Sequence, residues 1–153
     1  MSLKPEQQLR AIEVLKNLTL FAGCSLESLQ SLAAKLDARE FLKGKVIMMD
    51  QEINKTLYIL AKGSVGVWKR IQNEKKRLVL LEAPTVFGER SMFEESPASA
   101  MIKAETDCST YLLDRSHFSE VAKQFADMAT QVQKNMEIVR ALRGAPPTSP
   151  SPS

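Results

Sequence analysis

The chain has 153 residues, 44% of them hydrophobic and 25% charged, with a formal net charge of +3. That length suits one domain with a sizeable core, and the charge is too mild to imply a nucleic-acid partner by itself. No apolar run approaches the ~18 residues of a membrane span, and the lone histidine, His117, excludes a metal or catalytic centre built on several imidazoles.

In chain order, residues 5–18 read as a helix, with Pro5 in its first turn and Leu9, Ile12, Leu15 and Leu18 along one stripe. The polar character of this N-terminal stretch does not suit a signal peptide, so a cytoplasmic protein is expected. A second helix starts in "FAGCSLESLQSLAAKLDARE", with Ser25 as cap, Glu27 in the first turn and Leu26, Leu29, Leu32, Ala33 and Leu36 as its apolar face. Cys24 and Cys108 are far apart and read as structural thiols.

The period then shortens. "REFLKGKVIMMDQE" and "KTLYILAKGSVGVWKR" are rich in β-branched and aromatic residues and punctuated by Gly44 and Gly63. "LYIL" is a run of the fully buried kind and "SVGVWKR" alternates. "QNEK" reads as the turn of a hairpin whose second arm is "RLVLLE". "ASAMIKAETDCSTYLLD" gives two more strands, broken near Thr106–Asp107. About eight short strands at this spacing predict a β-sandwich or barrel.

Helical spacing returns at Ser116, with Asp114 or Ser116 as cap. Phe118, Val121, Phe125, Met128, Val132, Met136, Val139 and Leu142 then follow at threes and fours. One long helix over 116–143, about 40 Å at 1.5 Å per residue, exceeds what a single barrel covers. The stripe from Phe125 to Leu142 is therefore expected to form the seam of a homodimer, the alternative being packing within one chain. Gly144 ends the helix, and the Pro/Ser-rich residues 144–153 are expected to be a disordered tail.

This order, with these residues, resembles the cyclic-nucleotide-binding domain of the catabolite activator protein (Crp/Fnr-like) family over about residues 17–143. "LFAGCSLESLQSLAAKLDAREFLKGKVIM" is similar to the family's entry, "LYILAKGSVGVW" to its central hairpin, and "FGERSMFEESPASAMIKAETDCSTYLLDRSHF" to its phosphate-binding cassette and the strands after it. The resemblance implies a mainly β fold, a cupin-like jelly-roll barrel with N-terminal helices and a C-terminal helix that makes the dimer. It also implies a pocket in which a glycine lets the backbone approach a cyclic nucleotide, a glutamate accepts from the ribose 2′-hydroxyl, and an arginine after a proline pairs with the phosphate.

Here Gly88, Glu89 and Pro97 match that pattern, with Arg90, Ser91 and Ser99 as further candidate ligand-binding positions, but the arginine's place is held by Ala98. A two-pronged, charge-assisted contact of that kind is worth ~3 to 5 kcal/mol. Helix-start N–H groups near Ser91 and Met92 would offset only ~0.3 to 1 kcal/mol each. Arg90, beside the cassette, and Lys103 are the candidate replacement cations. The turn "QEINK" (Gln51, Glu52, Ile53, Asn54, Lys55) replaces a glycine-rich one and would narrow the pocket.

The resemblance also implies that the helix-turn-helix module of family transcription factors is lacking. Three readings follow. One is a degenerate, dimeric protein-interaction module with an unnamed protein partner, no cofactor, no metal and no catalytic residue. The second is a true receptor for cyclic AMP or cyclic GMP. The third, a cupin-type enzyme, fails on the histidine count. The basic run Lys69, Arg70, Lys75, Lys76, Arg77 reads as a solvated hairpin or as a docking face for an acidic partner.

Overall fold

A computed structural model describes residues 3–95 and 97–142. Two helices open the chain, α1 (Pro5–Lys16) and α2 (Leu26–Ala33), joined through a short 3₁₀ turn at Thr19–Phe21. The Ser25 hydroxyl accepts the Ser28 amide at 3.2 Å and caps α2. Two side chains expected on the buried faces are not there: Leu9 is 66% exposed and Leu26 50%. The inward face of α1 is Ala11, Ile12 and Leu15, which leaves Leu9 on the flank. Leu26 occupies the first position of α2, before the buried stripe of Leu29, Leu32 and Ala33.

Eight strands follow among the described residues: β1 (Asp37–Phe41), β2 (Val46–Met48), β3 (Thr56–Lys62), β4 (Ser64–Ile71), β5 (Glu74–Glu82), β6 (Thr85–Phe87), β7 (Met101–Ala104) and β8 (Cys108–Asp114). They form two antiparallel four-stranded sheets, ordered β1-β8-β3-β6 and β2-β7-β4-β5. This is the expected mainly β roll with flanking helices. The β4–β5 turn is made by Gln72 and Asn73, both with positive φ (52° and 67°), the pairing that a two-residue hairpin of matching twist requires.

The molecule has three layers: helices, first sheet, second sheet. One core lies between the helices and the first sheet, with Phe21, Leu32, Leu57, Ile59, Leu113 and Val132 among its members. A second fills the roll between the sheets, with Phe41, Leu60, Val65, Leu81, Phe87 and Ile102. β3 is the wall they share, because alternate side chains along a strand point to opposite faces. That explains why "LYIL" is apolar without interruption: Leu57 and Ile59 face the helices while Leu60 faces the roll.

The C-terminal region corrects the expectation of one long helix. It is two: α3 (Arg115–Gln124) and α4 (Ala126–Leu142). Asp114 caps α3, accepting the Ser116 amide at 2.9 Å and its hydroxyl. These contacts hold its carboxyl below the usual aspartate range. The chain leaves helical geometry at Phe125 (φ −128°, ψ 71°).

The break lets α4 return over the first core, so the expected dimer seam is largely spent inside one chain. Met128, Val132, Met136 and Val139 are all buried there, and Phe125 packs partly against the same cluster. Leu142, the last of the stripe, is 73% exposed, and Ile138 beside it is 49% exposed. Asn135, also buried, donates from Nδ2 to the Leu20 and Ala22 carbonyls at 2.9 Å each, tying α4 to the 3₁₀ turn. The expected tail, residues 144–153, lies outside the described residues, as do Arg143 and Ser96.

Candidate functional site

The cassette is built where β6 ends. Phe87 closes the strand and stacks on Tyr58 of β3, ring centroids 4.9 Å apart and planes 7° from parallel. Gly88 then takes a left-handed conformation at φ 77°, which only glycine adopts freely. Space demands glycine as well. A Cβ there would lie 2.7 Å from Asn54 Nδ2 and 2.8 Å from the Thr56 carbonyl oxygen. The Asn54 amide is fixed in that position, with Nδ2 donating to Thr56 O at 2.7 Å and Oδ1 accepting the Thr56 amide at 3.1 Å. Gly88 therefore seats the loop against β3.

A 3₁₀ turn, Glu89–Met92, follows, with Glu89, Ser91 and Met92 buried. The Ser91 hydroxyl and amide both donate to the Gly88 carbonyl, at 2.6 and 3.1 Å. The donors expected at Ser91 for a ligand are thus used to close the turn. Arg90 is turned outward and pairs with Glu94, Nη2 to Oε1 at 3.0 Å. Lys103, the other candidate cation, stands over the Trp68 ring, 5.1 Å from its centroid. It shares an outward register with Gly66 on β4, between the inward Val65 and Val67.

Pro97 and Ala98 form the far side. Ala98 is half-buried and packs against the roll core, so its side chain points to the interior. Its backbone is stitched to the "QEINK" turn: the Ala98 amide donates to the Glu52 carbonyl and the Ala98 carbonyl accepts the Gln51 amide, both at 2.8 Å. Ile53 forms an isolated antiparallel bridge with Pro97. Gln51 sits at φ 70°, and the Glu52 carboxylate accepts the Met49 amide at 3.0 Å. The bulkier turn is a strap bonded across the cassette. Ser99 is exposed beside it.

Glu52 also acts on Tyr58. Burial pushes the Tyr58 hydroxyl above the usual tyrosine range, the Glu52 carboxylate raises it further, and Arg39 works against both. Tyr58, stacked on Phe87, is a residue at the cassette that motif reasoning did not select. The signal for Tyr58 was available, because it is two residues from Leu60 on one face of "LYIL". Asn54 was expected only as bulk in the turn; its bracing of Gly88 across the loop was not recognisable.

Among the described residues no cluster of three or more metal-binding side chains exists, and no described helix is long and apolar enough to cross a membrane. The thiol of Cys108 is buried at the head of β8 and that of Cys24 half-buried; burial raises both pKa values.

A two-sheet roll, a glycine-started turn carrying a buried glutamate, and a packed C-terminal helix pair make up the architecture around the cassette. The comparisons give the family: residues 38–125, over half of the chain, match the model of the cyclic nucleotide-binding domain, and the chain belongs to that family.

The "CRP-like cAMP-activated global transcriptional regulator" of Mycobacterium tuberculosis is 25% identical over 104 residues, 67% of this chain and 46% of that protein. A cyclic nucleotide-binding domain from Methylobacillus flagellatus superposes with a TM-score of 0.77 at 19% identity, covering 90% of this chain and 78% of the other. The regulatory subunit of a "cAMP-independent protein kinase A" from Trypanosoma brucei superposes with a TM-score of 0.71 at 21% identity, covering 79% of this chain and 43% of that one. The chain spans less than half the length of the curated relatives it matches.

Proposed function

We propose that this chain is a non-enzymatic regulatory domain whose cassette binds cyclic nucleotides weakly or not at all, and which acts through protein contacts as a homodimer with an unnamed partner. The observation that carries this reading is the pair of changes at one place. Ala98 holds the position where the resemblance calls for a phosphate arginine, and the Gln51–Ile53 strap is hydrogen-bonded to that same residue. The two candidate substitutes are engaged elsewhere, Arg90 with Glu94 and Lys103 with Trp68. The donors of Ser91 close their own turn. The Trypanosoma brucei neighbour is the regulatory subunit of a kinase named as cAMP-independent, which is in keeping with this fold serving regulation without that ligand. Ile138 and Leu142, exposed one turn apart on α4, offer the apolar edge for a self-contact.

A second reading, a true cyclic AMP or cyclic GMP receptor, is favoured by one feature: Gly88 in its left-handed conformation with Glu89 buried next to it. Calorimetry separates the two. A micromolar site that loses about 3 kcal/mol binds more weakly than about 100 μM, and that is the expected result for both nucleotides. Ala98→Arg, which places the cation on an inward-facing position, is expected to gain measurable binding if the strap leaves room. Micromolar binding by the unmodified chain overturns the proposal in favour of the receptor.

A further inference from the structure

The β4–β5 hairpin outruns the roll. β7 pairs with β4 only as far as Trp68, and β5 is the edge of its sheet. From Lys69 onward the two strands continue as a ribbon whose residues, 69–78, are all exposed. Five bases and one acid, Glu74, lie between 69 and 77 in a chain whose net charge is only +3. The register sets Lys69 directly opposite Lys76, and Arg70 directly opposite Lys75. Like charges face to face across a ladder are destabilising, and successive positions point to opposite faces. Each face of the ribbon therefore carries one repelling pair.

Among the described residues, none of these five bases has an ion-pair partner. At the root of the ribbon lies a groove of about 190 Å³, lined by Trp68, Met101 and Met49 together with the bases Lys69, Arg70 and Lys75 and a single acid, Asp50. Lysines can protect an exposed edge from pairing, but that role needs no apolar hollow beside them.

We propose that this ribbon and groove form a docking surface for an acidic, extended protein segment, with carboxylates meeting the opposed base pairs and one apolar side chain entering the groove. Charge complementarity selects the sign of the partner, and the open ribbon edges suit strand-like addition. Nucleic acid fits less well. Its bases need free aromatic faces, whereas Trp68 is covered by Lys103 and its Nε1 donates to Glu105 at 2.7 Å. An anionic membrane fits less well because the tip, Gln72–Asn73–Glu74, is polar and ends in an acid.

Trp68 is the chain's single tryptophan, so its emission reports the groove directly. The probe is a synthetic peptide of one leucine flanked by glutamates on both sides. Saturable change in emission is expected, weakening about tenfold as salt rises from about 50 to about 300 mM, since exposed charges are screened. Lys69→Glu with Lys76→Glu, and separately Arg70→Glu with Lys75→Glu, are expected to weaken it at least about tenfold. Lys123→Glu with Lys134→Glu, the same charge change on α3 and α4, should leave it within about twofold. Thermal melts of each variant confirm the fold, and two independent pairs guard against one failing. An absent emission change, equal losses in ribbon and control variants, or tighter binding of phosphatidylserine vesicles or single-stranded DNA would overturn the proposal.

Discussion

Gly88 and Ala98 sit on two sides of one cassette and pull its chemistry in opposite directions. Gly88 holds the left-handed geometry that starts the turn, and on the proposed reading Ala98 leaves that loop without a phosphate cation. The first has a structural role, because the Asn54 amide and the Thr56 carbonyl fill the space a side chain would occupy. Gly88→Ala combines left-handed strain with those contacts, a cost of roughly 2 to 3 kcal/mol. The expected Tm decrease is roughly 5 to 10 °C for a chain of this length, whether or not nucleotide is present. An unchanged melting curve would show that the loop can leave β3 freely.

At the scale of elements, the strands and turns were legible because their signals are local: Gly63 at φ 95°, the Gln72–Asn73 turn, and apolar runs of strand length. The α3–α4 break was not legible. Phe125 is neither proline nor glycine, and the spacing of threes and fours passes through it unaltered, so periodicity read two helices as one. The same blind spot turned an internal face into a dimer seam, since spacing reports that a stripe is buried and not by what.

Met136 and Val139 lie in the first core. Their joint replacement by glutamate buries two charges at several kcal/mol each, against a total stability of about 5 to 15 kcal/mol. The expected outcome is an unfolded or insoluble chain. Ile138→Glu with Leu142→Glu, on exposed positions, should keep the fold and, by light scattering, convert a dimer to monomer. A folded, monomeric Met136→Glu/Val139→Glu protein would return the seam to the inner stripe.

Across the whole molecule, the site was half visible. The glycine, glutamate, proline and Ala98 are read directly from the sequence, and that Ala98 stands in an arginine's place is what the resemblance implies. The strap on Ala98 and the Lys103–Trp68 contact come from residues remote in sequence that only folding brings together, and the Arg90–Glu94 pair, though local, needs the turn geometry after Gly88.

β3 belongs to both cores at once, and this has a consequence for how the protein breathes. A strand with Leu57 and Ile59 in one core and Leu60 in the other, all fully buried, cannot open unless both layers loosen together. Its backbone amides should therefore exchange with deuterated water only through global unfolding, while those of the 69–77 ribbon exchange through cheap local opening. Mass spectrometry should find residues 57–60 the last to take up deuterium. Early exchange there would mean that the helices can detach while the roll stays shut. If it is late, any signal that shifts the helices must be felt in the roll.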